Sequence, residues 1–180
     1  PWDLSRLWDG RGRVPIGALT VRAPDGQRTF EVPPIQHTLR GNLNDEIELL
    51  GYDLQGAVGP EQAVVGPGQA VSCTLYWRAI QAVERDYTVF THLTAPDGHT
   101  WGQWDNQPQQ GRAPTTRWAQ GQVIADPYRI PLSEDAPPVR LELRVGMYDR
   151  RTMTRLPVLD EKGQVTGDYI VLTELEVTGR

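Results

Sequence analysis

The chain has 180 residues, of which 38% are hydrophobic and 23% charged, with 18 glycines and 15 prolines. This composition describes a folded globular domain and excludes an intrinsically disordered chain. The formal net charge of −5 is opposite in sign to the basic surface of a nucleic-acid-binding protein, so we expect no nucleic-acid partner.

Cysteine content and hydropathy exclude further classes. The single cysteine, Cys73, rules out an internal disulfide and a multi-cysteine zinc site. Apolar runs are strand-sized and fall short of the roughly 20 residues of a membrane-spanning helix. Because the chain begins Pro-Trp-Asp without the regions of a signal peptide, we expect it to be an excised part of a larger protein or a processed product.

The first half of the chain reads as a short extension followed by strands. We assign residues 1–15 to a linker or edge extension and residues 16–180 to a single domain. Residues 46–54 are apolar on both faces at several positions, which predicts a central strand. In residues 71–78 apolar and polar side chains alternate, with the odd positions apolar, which is typical of a half-buried strand.

The second half continues the same pattern. Residues 87–93 are apolar on both faces and predict a second central strand. Residues 139–147 form the cleanest amphipathic strand, with every odd position apolar. The C-terminal residues 169–177 are assigned the same phase, with Tyr169, Val171, Thr173, Leu175 and Val177 on one face.

Turn signals separate these segments. Residues 23–26 and 95–98 share the sequence Ala-Pro-Asp-Gly, which favours a hairpin, and residues 66–68 and 160–163 are also turn-forming. We therefore predict an all-β, antiparallel two-sheet β-sandwich, immunoglobulin-like or jelly-roll-like, with little helix. Short helical turns are considered only at residues 4–8 and 134–136.

The residues most often used in catalysis form no recognisable motif. His37, His92 and His99 have no motif partners, and we assign His92 to the strand framework. Cys73 falls on an apolar strand face, which indicates a buried thiol rather than a nucleophile. The glycines at 10 and 12 lack the lysine and the strand–helix context of a phosphate-binding loop. We expect no catalytic residue and no cofactor in this chain.

Acidic residues permit two weaker hypotheses. A pair of carboxylates for glycoside hydrolysis would come from Asp105, Asp126, Asp149 and Glu174. A calcium site would come from Asp97, Asp105, Asn106 and Asp126, although their spacing is not that of an EF-hand loop. Ordinary turn caps and solvated faces explain the same residues, so we expect no metal.

The best candidate for ligand binding is a polar, tryptophan-rich stretch between residues 101 and 118. Indole rings stack on sugar faces, while acid and guanidinium groups orient a ligand by hydrogen bonds. The residues that would do so are Trp101, Gln103, Trp104, Asp105, Arg117 and Trp118. The alternative, which we rank first, is that the tryptophans anchor a long loop on the sandwich, with Asp105 and Thr115 holding its backbone.

An ordered set of short motifs spans residues 45–178. Its elements are Leu50-Gly51-Tyr52-Asp53, Pro67-Gly68, Leu75-Tyr76-Trp77, Asp86-Tyr87-Thr88-Val89-Phe90, His92-Leu93, Asp97-Gly98, Gln103, Asp105, Pro108, Pro114-Thr115, Trp118, Gly121, Asp126, Gly146-Met147-Tyr148-Asp149 and Arg155-Leu156-Pro157. This set resembles the C-terminal domain that follows the membrane-spanning part of bacterial glycosyltransferases similar to dolichyl-phosphate-mannose-dependent protein mannosyltransferases.

The resemblance implies a β-sandwich outside the cytoplasm, tethered through its parent protein to the membrane. The expected partner is the membrane-spanning part of that parent, with glycan or protein acceptor as candidate ligands. The catalytic acid is expected in the membrane part, so this domain would be accessory. Two alternatives stay open: a structural or protein-interaction sandwich without a ligand, and a stand-alone glycoside-active enzyme, which the absence of a coupled acid, base and nucleophile disfavours.

Overall fold

The computed structural model describes residues 28–55 and 63–179, and these form twelve strands. The strands are β1 (His37–Leu43), β2 (Ile47–Gln55), β3 (Ala63–Val65), β4 (Ala70–Ala79), β5 (Tyr87–Thr94), β6 (Thr100–Gln103), β7 (Val123–Pro131), β8 (Arg140–Asp149), β9 (Thr154–Arg155), β10 (Val158–Leu159), β11 (Val165–Gly167) and β12 (Ile170–Val177). Two 3₁₀ turns, Pro108–Gly111 and Thr115–Arg117, are the only helical segments in these ranges.

The strands form two six-stranded sheets packed face to face. Sheet A has the order β11-β10-β1-β2-β4-β7, and sheet B has the order β3-β12-β8-β5-β6, with β9 paired to β8. Pairing is antiparallel throughout the described strands except between β3 and β12, which run parallel. The predicted all-β two-sheet sandwich with little helix is confirmed.

The core lies between the sheets and is built from alternate residues of each strand. In β4 the inward side chains include Leu75 and Trp77, and in β8 they include Leu143 and Met147, all fully buried. The alternation predicted for residues 71–78 and 139–147 is therefore confirmed. Cys73 also points inward, and burial raises the pKa of its thiol to about 12, which makes it a core residue rather than a nucleophile.

The phase predicted for the C-terminal strand is wrong in its first half. Ile170 and Leu172 are buried, whereas Val171 is exposed. The pairing of β12 with β8 slips between Val171 and Thr173, where one extra residue on β12 forms a bulge. A bulge reverses which residues face the core. The uniform alternation assumed for this segment could not reveal the bulge.

The two strands predicted to be covered on both faces have small clusters outside the sandwich. On β2, Leu50 packs with Tyr76 and Val123 on the outer face of sheet A. On β5, Phe90 is buried on the outer face of sheet B, beneath the side chain of Arg155. Both central-strand predictions are confirmed, because β2 lies between β1 and β4 and β5 lies between β8 and β6.

The turn predictions hold where the structure describes them. The hairpin at residues 95–98 closes with the amide of Gly98 donating to the carbonyl of Ala95 at 2.9 Å, and Gly98 has a φ of +87°. Residues 66–68 separate β3 from β4, and residues 160–163 separate β10 from β11. Residues 134–136 form a turn without a helix. The predictions for residues 1–15, 4–8 and 23–26 lie outside the described residues.

Candidate functional site

The long connection between β6 and β7 is held by a carboxyl group inside the sandwich. Asp126 of β7 is 0% exposed and accepts hydrogen bonds from the amide of Gln109 and the hydroxyl of Tyr128, each at 2.7 Å. Gln109 and Gln110 adopt the left-handed φ values of 52° and 58°. Burial raises the pKa of Asp126 to about 6, and the two hydrogen bonds oppose that rise.

A buried hydroxyl fixes the second half of the same connection. Thr115 is 0% exposed, and its Oγ1 accepts the amide of Tyr87 at 2.9 Å and donates to the carbonyl of Arg85 at 2.5 Å. Thr115 thus anchors the loop to the start of β5, as the sequence predicted.

Two of the three tryptophans in this stretch are packed against the sandwich. Trp118 is 4% exposed, and its indole Nε1 donates to the carbonyl of Ala113 at 2.9 Å. Trp101 is half-buried at the edge of the core, with its ring centroid 4.3 Å from that of His99. The buried face of Trp118 is not accessible to a ligand, so the three indoles do not form one exposed surface.

Trp104, by contrast, is 45% exposed. Its backbone extends the pairing of β6, because its amide donates to the carbonyl of Thr91 at 3.0 Å and its carbonyl accepts the hydroxyl of Thr91 at 2.6 Å. Along an extended chain, Gln103 and Asp105 leave from one face and Trp104 from the other. Arg117 is exposed in the second 3₁₀ turn. The six predicted residues therefore do not form one site, and only Gln103 and Asp105 share a surface.

Gln103 and Asp105 belong to a polar and aromatic surface that sequence analysis did not identify as a unit. It covers the outer face of sheet B, where cross-strand pairing aligns His92 with Gln103 on one side and with Arg144 on the other. We call it the sheet B surface, and its members are His92, Gln103, Asp105, Glu142, Arg144, Tyr148, Arg155, Asp168 and Tyr169, over the buried ring of Phe90.

A histidine–carboxylate pair lies at one side of the sheet B surface. The Nε2 of His92 is 3.1 Å from Oδ1 of Asp105, and both side chains are partly exposed. The neighbouring Tyr148 has a raised pKa, first because of burial and second because of the negative charge of Asp105. The framework role predicted for His92 is incomplete, since its ring also orients a surface carboxylate.

A glycine makes room for the aromatic ring at the centre of the sheet B surface. Gly146 lies opposite Phe90, and a Cβ at position 146 would be 2.5 Å from Cζ of the Phe90 ring. Above the ring, the guanidinium carbon of Arg155 is 4.3 Å from its centroid. The missing side chain thus lets a ring and a guanidinium group stack on the sheet.

A second stacked arginine lies beside the first. The guanidinium carbon of Arg144 is 4.6 Å from the ring centroid of Tyr169, and its Nε donates to Glu142 at 2.7 Å. Sequence alternation placed Arg144 and Glu142 on the outer face of β8. Tyr169 directly precedes β12, and uniform alternation along residues 169–177 had placed it on the inner face. No sequence signal could have identified this contact.

The acidic residues considered for hydrolysis or calcium binding have other roles. Asp126 is inside the core, Asp149 caps the turn after β8 by accepting the amide of Arg151 at 2.9 Å, and Glu174 pairs with Arg140 at 3.2 Å. Asp97 accepts the amide of His99 within the hairpin turn. Across residues 28–55 and 63–179, no group of three or more His, Cys, Asp or Glu side chains is arranged to hold a metal ion.

The described residues also contain no helix of the length and apolarity that a membrane crossing requires. A large open hollow of about 930 Å³ lies on the outer face of sheet A. There Glu48 is paired with Arg40 at 3.2 Å and with Arg78, and none of the described residues that line the hollow is aromatic. The sheet B surface is therefore the better candidate for a site that uses rings as well as hydrogen bonds.

These features define an all-β sandwich domain whose outer sheet face has a polar and aromatic character. No family model matches the chain, and no curated protein matches it. Among solved structures, a Niemann-Pick type C2 protein from the Japanese carpenter ant is similar over 82% of this chain and 100% of its own, with 8% identity and a TM-score of 0.44. A CARDB domain from Pyrococcus furiosus, solved with di-metal ions, is similar over 83% of this chain and 97% of its own, with 8% identity and a TM-score of 0.40. At this identity the likeness concerns the fold alone.

Proposed function

We propose that this chain is a non-catalytic accessory domain that lies outside the cytoplasm, belongs to a membrane-bound glycosyltransferase, and binds glycan. The attachment to such a parent rests on the ordered resemblance over residues 45–178. Glycan binding rests on the sheet B surface, where partly exposed rings, guanidinium groups and carboxylates lie side by side. Carbohydrate sites combine such polar groups with aromatic faces.

The His92–Asp105 pair is the observation that carries the binding proposal. The histidine holds the carboxylate in one orientation before a ligand binds. Binding therefore costs less side-chain entropy than it would at a freely rotating carboxylate. Gln103 lies next to His92 across the strands and adds an amide with both a donor and an acceptor. Together these groups offer fixed hydrogen-bonding positions to sugar hydroxyl groups.

Calorimetric titration with oligosaccharides found on a glycan array tests this proposal. Asp105→Asn removes the charge and one acceptor with little change in shape, so we expect glycan affinity to fall about tenfold. The matched control is Asp135→Asn, at an exposed position in the turn before β8. Absence of binding to any glycan on the array, or equal affinity in the wild type and Asp105→Asn, would contradict the proposal.

A structural or protein-interaction role without a ligand is the second candidate. The packing of Trp101 and Trp118 against the sandwich favours it. Asp105→Asn distinguishes the two roles, with Asp135→Asn as its control, because Asp105 lies on the sheet B surface and Asp135 does not. A lower melting temperature without any glycan binding would support the structural role.

The proposed attachment has its own test. The complete reading frame should encode several membrane spans before Pro1, and the domain should be cut by external protease in intact spheroplasts. A lone secretory leader in front of Pro1 would contradict attachment to a membrane enzyme, and protection from external protease would contradict an extracytoplasmic location.

A further inference from the structure

The arginines stacked on the sheet B surface already have carboxylate partners. Arg144 contacts Glu142 at 2.7 Å, and Arg155 contacts Asp168 at 3.4 Å. Each guanidinium group also lies over an aromatic ring, of Tyr169 and Phe90 respectively. Ring stacking and ion pairing together fix the planes of both groups, so neither arginine is free to turn its fork toward an incoming anion.

The carboxylates of the sheet B surface outnumber its guanidinium groups by one. Asp105, Glu142 and Asp168 supply three negative charges, and Arg144 and Arg155 supply two positive ones. Arg150, whose charge acts on Tyr148, supplies a third positive charge at the margin. An acidic ligand would meet no positive field, and it would have to displace a carboxylate to reach either stacked arginine.

From this pairing we infer that the ligand of the sheet B surface is a neutral oligosaccharide and that acidic sugars are rejected. The inference rests on the proposed function, because it presumes that this surface binds glycan. Carboxylate oxygens accept and guanidinium and amide groups donate, and a sugar hydroxyl can satisfy either kind of partner. A carboxylate on the ligand can satisfy only the donors.

The register of the strands gives the surface the length for more than one sugar ring. Gln103 of β6, His92 of β5, Arg144 of β8 and Val171 of β12 follow one another in a cross-strand row. Three strand spacings span about 14 Å. The row therefore fits a short linear oligosaccharide lying across the strands.

Titration of the full chain with matched trisaccharides tests the inference. We expect mannotriose, cellotriose or maltotriose to bind at least about tenfold more tightly than trigalacturonic acid, since like charges face each other in the acidic complex. Glu142→Gln removes the carboxylate that holds Arg144, so it should raise the affinity for trigalacturonic acid about threefold or more.

The matched control is Glu174→Gln, which removes one of the two carboxylate partners of Arg140 on the same sheet and is not a member of the sheet B surface. It should leave the preference for neutral sugar unchanged. Tighter binding of trigalacturonic acid by the wild type, or no effect of Glu142→Gln on it, would overturn the inference while leaving glycan binding intact. Failure of every neutral and acidic probe would overturn the inference together with the proposed function.

Discussion

The stretch between β6 and β7 has two ends that use similar side chains for different purposes. At the buried end, Trp118 and Thr115 satisfy their polar atoms inside the protein, and Asp126 of β7 accepts the amide of Gln109 in the loop, so the loop is held to the sandwich. At the exposed end, Asp105 pairs with His92 on a sheet face that solvent reaches. Burial, and not residue type, decides which end stabilises the fold and which end is exposed to solvent.

The largest effect should come from removing the indole at the buried end. Trp118→Ala should cost about 3–5 kcal/mol of unfolding free energy, because it leaves a cavity and removes the donor to Ala113. Trp104→Ala, at the exposed end, should cost less than about 1 kcal/mol. Urea denaturation compares the two, and similar costs would remove the distinction between the ends.

The buried acid at this end should make the stability of the fold depend on pH. The pKa of Asp126 is about 6 in the folded chain against 3.8 for an unperturbed aspartate. The folded state therefore binds the proton more tightly, so this group favours folding most below about pH 4, and its contribution is lost as the pH rises to about 6. The difference of about two pKa units corresponds to about 3 kcal/mol.

Asp126→Asn should abolish the contribution of this carboxyl group to the pH dependence of the unfolding free energy. Between pH 4 and pH 6 the wild type should lose up to about 3 kcal/mol relative to the variant, measured by urea denaturation at each pH. The asparagine keeps an oxygen that accepts the amide of Gln109, so the hydrogen bond that holds the loop is retained. Parallel stability curves for the wild type and Asp126→Asn would show that the carboxyl group does not titrate in this window.

The smallest effect on stability should come from the exposed end. Asp105→Asn weakens a partly exposed pair with His92 and should cost about 0.5 kcal/mol or less. The same substitution is expected to reduce glycan affinity, so its cost in binding should exceed its cost in folding. A loss of stability comparable to that of Trp118→Ala would identify Asp105 as an anchor rather than a binding residue.

The alternation of apolar and polar residues predicted the fold, because the direction of each inward side chain depends only on its position within its own strand. The inward rows of β4 and β8 were predictable for this reason. The phase of β12 was not, since the bulge at Val171 depends on pairing with β8. The composition of the sheet B surface was only partly predictable. Gln103 and Asp105 were among the predicted binding residues, whereas Arg144 and Tyr169 lie on the same surface through cross-strand register, which a single sequence does not encode.

The parallel pairing of β3 with β12 has a consequence for cooperativity. Between β2 and β4, both central in sheet A, the chain contributes three residues to the edge of sheet B, where Thr178 also donates to Val65 at 3.1 Å. At the opposite edge Ser133, just after β7, donates to Trp101 of β6 at 2.8 Å. Both edges of sheet B are thus connected to sheet A. We therefore expect the two sheets to unfold together in a single transition, without an intermediate in which only one sheet is folded.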